Sequence, residues 1–244
     1  MRLVLDVENT VTNRDGKTHL DPFEPSNHLV QVGMLDADDP KPTLTIKTLD
    51  HNESKDDTGF NRLDIQFTLD NTKLLIMHNA QHDLMWLWEC GFKYDGDIYD
   101  TMLGEYILDR GQRNPLSLQA CAERRQLEVQ KDDTLKKYFK EGKNTNEIPL
   151  AELCHYLEHD LLTTCELFHA QEKDFAMPEA ASLSTVKRVT FQTCKTLTEI
   201  YSAGFKVDLQ ELERVAKEFE NEKAEIETRL QKKVREVMGD TPIN

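Results

Sequence analysis

The hydrophobic period of this chain shifts from two residues to between three and four as it runs, and the order of that shift limits the fold more than any single residue. From Arg2 to Val11 apolar and polar residues alternate around Leu3-Val4-Leu5, as in a strand. His28–Leu35 (HLVQVGML) and Thr43–Thr48 (TLTIKT) read the same way, and the three predict an antiparallel meander. Asp50–Arg62 is polar, acidic and turn-rich, which predicts a surface loop. Lys73–His78 (KLLIMH) is a short apolar run, a buried strand, and Ala80–Cys90 predicts a helix stopped by Gly91. Asp97–Tyr99 reads as one more short strand.

Beyond it the pattern is helical: Thr101–Arg110, Pro115–Arg125 and Thr134–Glu141. Gly142 and Asn144 mark a loop, Pro149 suits a first helical turn, and Ala151–Glu172 predicts one long helix. Composition shifts near Met177-Pro178, and two helices follow, separated by Ala203-Gly204. Leu183, Val186, Val189, Leu197 and Ile200 form the expected apolar stripe of the first. Leu209, Leu212, Val215, Phe219, Ile226, Leu230 and Val237 form that of the second, with Asp208 and Glu211 as a capping box at its start. This order predicts an α/β fold with a mixed five-stranded sheet flanked by helices, followed by a helical extension.

With 244 residues the chain can bury one large core, alone or with an appendage. No apolar run approaches the roughly 20 residues that span a bilayer. The opening residues lack the features of a signal peptide, which predicts a cytoplasmic protein and no membrane partner. Cys90, Cys121, Cys154, Cys165 and Cys194 form no C-x-x-C pair and read as reduced, small apolar residues. The net charge of −15 argues against a broad basic nucleic-acid face. It remains compatible with a nuclease whose acids hold divalent cations, because the ions reverse the local sign. A missing basic segment of a longer chain would reconcile it equally.

Three short patterns carry chemistry. Asp6-Val7-Glu8 is the only D-x-E in the chain, and it breaks into an apolar strand. Residues two apart on a strand share a face, so two carboxylates there are costly unless a cation lies between them. His78-Asn79-Ala80-Gln81-His82-Asp83 sits where a strand turns into a helix. Asp83 falls in the first helical turn, where the dipole favours an acid, and Asn79 is placed to cap that helix. His78 and His82 lack the H-E-x-x-H context of a zinc site. Tyr156 and Asp160 stand four apart on the long helix and so project side by side. Four carboxylates can hold two divalent ions, which sit about 3.5–4 Å apart in phosphoryl-transfer sites.

Taken together, D-x-E, H-N-x-x-x-D and Y-x-x-x-D resemble the tyrosine-containing branch of the DEDD exonuclease superfamily, over residues 1 to about 175. The resemblance implies an RNase H-like fold and 3′→5′ hydrolysis of a terminal phosphodiester with two divalent cations, Mg2+ or Mn2+. It implies that Asp6 bridges both cations, that Glu8 and Asp160 complete the tighter site, that Asp83 supports the second, and that Tyr156 holds the attacking water.

Tyr99-Asp100-Thr101-Met102-Leu103-Gly104-Glu105-Tyr106 is similar to a stretch of the exonuclease domain in family A (DNA polymerase I-like) polymerases. The segment from Leu197 through Gly204 to Asp208 resembles the passage from that domain into the polymerase thumb. The chain is therefore identified, by resemblance, as a proofreading exonuclease domain over 1–177 and the start of a thumb over 178–244. Its implied partners are a single-stranded DNA 3′ end and the absent polymerase domain of the same chain. The first strand starting at Met1 suggests a phage source and hence the host cytoplasm.

For the substrate strand the expected contacts are Val7, Asn9, Thr10, Asn79 and His82. Trp86 and Trp88 read as core packing, and Arg124-Arg125 and Lys136-Lys137 are the nearest basic pairs. Gln81-His82 departs from the Lys-Tyr common in bacterial members and bears on those contacts rather than on metal binding. Asp100 reads as structural. Two other readings stay open: a free-standing RNA-trimming exonuclease of the RNase D type, and an inactive exonuclease-like binding module.

Overall fold

The computed structural model describes residues 1–14, 16–39, 43–54, 59–127 and 134–239. In chain order the elements begin with β1 (Arg2–Asn9), a small hairpin of β2 (Thr12–Arg14) and β3 (Lys17–His19), β4 (Leu29–Asp36) and β5 (Leu44–Thr48). Next come α1 (Gly59–Asp70), β6 (Leu74–Met77), α2 (Ala80–Glu89), β7 (Asp97–Asp100), α3 (Thr101–Leu108), α4 (Leu118–Arg125) and α5 (Thr134–Lys140). Last come α6 (Leu150–Phe175), α7 (Ser184–Ala203) and α8 (Leu209–Met238). The chain separates into two compact units, Met1–Ser202 and Ala203–Asn244.

The first unit is built on a five-stranded mixed sheet in the order β5-β4-β1-β6-β7. The first three strands of that order pair antiparallel, the predicted meander, while β6 and β7 add to β1 in parallel. Strand β1 is therefore central, and Leu3, Val4 and Leu5 are buried because helices cover both faces. Each fully buried leucine contributes about 1.5–3 kcal/mol of transfer free energy, so the strand that carries the acids is also among the best anchored.

Asp6 lies opposite Gly33 of β4. Cross-strand partners point to the same face. A Cβ added at Gly33 would lie 2.6 Å from Leu161 Cδ1 and 2.9 Å from Leu157 Cγ. The bare backbone at Gly33 is thus what lets α6 lie tight against the sheet, at the level of Asp6 and on its side.

Several local expectations are corrected. Residues 59–62, read as loop, open α1, which buries Ile65 and Leu69. Neither end of that helix has an acidic or basic bias, so it carries no end signal. Residues 55–58 of the same predicted loop lie outside the described residues. Helix α4 starts at Leu118 rather than Pro115, because Ser117 caps it by accepting from Ala120 N. Pro149 is the residue before α6 rather than its first turn. The composition shift near Met177 marks the end of α6, while residues 178–202 stay with the first unit.

Of the stripe expected on α7, Val186, Val189, Leu197 and Ile200 are exposed, while Leu183, just before that helix, packs against the core. Phe191 and Thr198 are the buried positions, with Cys194 packed beside the core. Both sets recur at helical spacing, and the docking of Phe191 against Tyr99, with ring centroids 4.8 Å apart, selects one of them. Asp208 caps α8 by accepting from Gln210 N and Glu211 N, but the Glu211 carboxylate pairs with Arg214 instead of closing the box. The apolar residues of α8 form no core, since no residue of that helix is buried.

Candidate metal centre

Strand β1 presents Asp6 and Glu8 on one face, half-buried, while Leu5 and Val7 between and before them are buried. The pleat sends Val7 into the core and leaves the two acids under α6. Helix α6 brings Asp160 to them. One carboxylate oxygen from each of Asp6, Glu8 and Asp160 lies within 4.8 Å of the others. Two oxygens on one ion are at most about 4.2 Å apart for Mg2+ and about 5 Å for Ca2+, so a group within 4.8 Å has the size of a divalent cation site, with a small closure needed if it is at the wide end of that bound. The donors are all hard carboxylate oxygens, which suits a hard divalent ion rather than zinc or copper.

Asp83, in the first turn of α2, is 2% exposed and stands beside this group. Its Oδ2 is buried without a hydrogen-bond partner. Burial and the charge of Asp6 push its pKa well above the usual carboxylate range, with Asp100 and Glu8 adding to the effect. Asp6 is pushed up to about 8 by burial and by Asp160. Glu8 is raised by burial, then by Asp6 and Asp160. The Val7 N–H offsets a part of this for Asp6 and Asp83. Carboxylates gathered at such a cost, with an orphaned buried oxygen among them, are what a divalent cation relieves.

Tyr156 is half-buried beside Asp160 and donates its phenol hydrogen to that carboxylate. Burial first, then the charges of Asp160 and Glu8, push its pKa far up, so it stays a neutral phenol. The structure thus brings Asp6, Glu8 and Asp160 within ligand reach of one another, with Asp83 and Tyr156 close enough to feel their charge.

The expected substrate contacts fare differently. Val7 is buried in the core. The Asn9 side-chain amide donates to Thr10 O at 2.8 Å, and its Oδ1 meets His82 Nε2 at 2.9 Å. Thr10 Oγ1 accepts from His28 N at 2.6 Å. These polar groups are engaged within the chain. Asn79 is exposed and left-handed (φ 70°), and its side chain does not cap α2. His78 bonds Thr101 Oγ1 and Leu116 O, and burial holds its pKa down to about 4, so the two histidines form no metal pair.

Trp86 is core, with its indole N–H on Leu20 O at 3.2 Å, and Trp88 packs against the same cluster. Arg124 and Arg125 grip buried Glu105 at 3.0 and 2.7 Å, and Lys137 pairs with Glu152 at 3.1 Å. The five cysteines are free thiols, with Cys121 buried. Gly33 was not singled out from sequence. A glycine inside an apolar strand is the signal that marks such a close approach.

No family model and no curated protein matches this chain. Solved structures do share its fold. One, described as the apo form of a nuclease, aligns with a TM-score of 0.58 at 15% identity over 85% of this chain and 87% of its own. Another, the POL domain of Pol1 from M. smegmatis in complex with DNA primer-template and dNTP, aligns with a TM-score of 0.61 at 20% identity. That alignment covers 100% of this chain and 35% of the polymerase chain. The fold is of the RNase H-like type, with the expected mixed sheet and a helical C-terminal part. No helix among the described residues is long and apolar enough to cross a membrane.

Proposed function

We propose that this chain is a 3′→5′ exonuclease that hydrolyses the terminal phosphodiester of a single-stranded DNA 3′ end. The observation that carries the reading is the convergence of Asp6, Glu8 and Asp160 within 4.8 Å, from the central strand and the long helix. Asp6, Glu8 and Asp160 would hold one divalent cation, Mg2+ or Mn2+, and Asp6 with Asp83 would hold a second. Bound there, the ions would lower the pKa of the attacking water and offset charge on the leaving 3′ oxygen.

The chain's own residues supply the rest. Tyr156 remains protonated and, anchored by Asp160, orients water as a hydrogen-bonding group rather than as a base. Asn79, exposed at the start of α2 with a side chain that does not cap the helix, is assigned to meet the strand. Asn9 and His82 lock β1 to α2 and so shape the wall along which a terminal nucleotide would lie.

The finer placement is as the proofreading portion of a family A DNA polymerase, with residues 1–177 as the exonuclease and 178–244 entering the thumb. The sequence resemblance through Tyr99–Tyr106 and Leu197–Asp208 supports it, as does a shared fold with a Pol1 structure that this chain covers in part. Release of mononucleotides from labelled single strands, in Mg2+ or Mn2+, tests the activity. Asp6→Ala is expected to abolish release, on the order of a thousandfold or more, with the fold intact by circular dichroism. Wild-type rates in that variant would refute the assignment. Faster release from RNA than from DNA would transfer it to an RNA-trimming enzyme.

A further inference from the structure

Strands β6 and β7 are parallel neighbours, and both run directly into helices at the same edge of the sheet. Helix starts leave backbone N–H groups without intrahelical partners. Two such starts, those of α2 and α3, therefore meet side by side. Asp100, the last residue of β7, is 1% exposed between them. Its Oδ1 accepts from Met102 N at 2.8 Å and Leu103 N at 3.2 Å in α3, and from Asn79 N at 3.2 Å at the head of α2. Its Oδ2 accepts from Ala80 N at 3.0 Å. The residue that should cap α2, Asn79, does not cap it, so Asp100 caps it from the neighbouring strand.

A second latch closes the same seam. Thr101 Oγ1 donates to Met77 O at 3.1 Å and meets His78 Nδ1 at 2.9 Å.

We propose that Asp100 is a positioning residue for the acid site: its forked carboxylate ties the start of α2 to β7 and thereby sets where Asp83 meets Asp6. The claim rests on the reading of Asp83 as a cation-supporting acid. Asp83 is in the first turn of α2, so its reach is set by how that turn is pinned. Capping α3 alone does not require an acid, because serine caps a helix about as well as aspartate. What a serine hydroxyl cannot do is accept from two helices through two oxygens at once.

The test is a cycle of variants in the full chain: Asp100→Ser, Asp83→Asn and the pair together. Each is followed by thermal melting, by calorimetric titration with Mn2+, and by nucleotide release. Asp100→Ser is expected to fold, to weaken the lower-affinity Mn2+ event by about 10- to 100-fold, and to lower kcat by a similar factor with KM for the strand little changed. The double variant is expected to bind Mn2+ no worse than Asp83→Asn alone, because Asp100 acts through Asp83.

Asp100→Asn keeps the oxygen that serves three of the four N–H groups and is expected to recover most of the loss. Should Asp100→Ser fail to fold, Asp100→Asn runs through the same cycle and is expected to show a smaller loss that likewise vanishes in the Asp83→Asn background. Independent, multiplying losses in the double variant would overturn the proposal. So would a drop in melting temperature with both Mn2+ events intact, which would leave Asp100 as a helix cap only. If Asp83→Asn itself leaves Mn2+ binding and release unchanged, the reading of Asp83 as a cation-supporting acid fails, and the role assigned to Asp100 fails with it, while the exonuclease reading is tested separately by Asp6→Ala.

Discussion

Helix α8 and the face of β1 under α6 are both rich in carboxylates, and the two regions treat them in opposite ways. On α8 the acids stand in water, and some pair along the helix surface: Arg214 with Glu211 and Glu218, and Lys223 with Glu227. The Arg214 guanidinium holds the Glu211 carboxyl below its ordinary value. Under α6, Asp6, Glu8 and Asp83 are pushed up by burial and by one another. The same functional group lowers its free energy by pairing in one place and is held at a cost in the other. The net charge of −15 adds both kinds together and so reports neither. What marks the candidate site is that Asp6, Glu8 and Asp83 are raised by burial and by the charge of neighbouring acids.

The widest separation between the two regions is expected in the response to pH. In metal-free protein the Asp6 carboxyl ionises near 8 when folded, against an ordinary 3.8. The folded state then holds a proton that the unfolded state has released. The stability tied to that proton is full below about pH 4 and is lost as pH rises through about 8. Melting temperature in chelator should therefore fall by several degrees between about pH 5 and about pH 9, and Mg2+ should restore it at the alkaline end by binding only the folded form. A flat profile in chelator would mean that these acids do not strain one another, and the contrast with α8 would collapse.

Tyr156→Phe probes the site more narrowly. It removes the hydrogen bond to Asp160 but leaves every carboxylate in place. Nucleotide release should slow by about 10- to 100-fold while calorimetric Mn2+ affinity stays at the wild-type value. A loss of affinity instead would make the phenol part of the cation site. The smallest effect belongs to α8. Glu211→Gln breaks an exposed pair and should leave both melting temperature and nuclease rate unchanged. A measurable loss of either would show that α8 is coupled to the rest of the protein in a way its exposed pairs do not reveal.

Much of this architecture is legible in the residues. The strands at Arg2, His28, Thr43 and Lys73 announce themselves by period and apolar content, and the long helix by length. Asp6, Glu8, Asp83, Tyr156 and Asp160 stand out only as a set: each short pattern has an ordinary local explanation, and it is their order along the chain that points to one site. Helix α1 escaped because it has a glycine start and no charge bias at its ends. The outward stripe of α7 misled because periodicity defines a face but not what covers it. The hydrogen bonds that Asn9, Thr10 and His82 make within the chain were not legible, because they depend on partners distant in sequence.

The sequence by itself determined the succession of elements and which side chains are chemically out of place, because both follow from spacing within a few residues. The tertiary structure alone decided that Gly33 clears room for α6 opposite Asp6, that Asp160 arrives within ligand distance, and that Asp100 holds two helix starts together. Those are contacts between distant segments. They depend on how closely whole elements pack, and no local pattern carries that information.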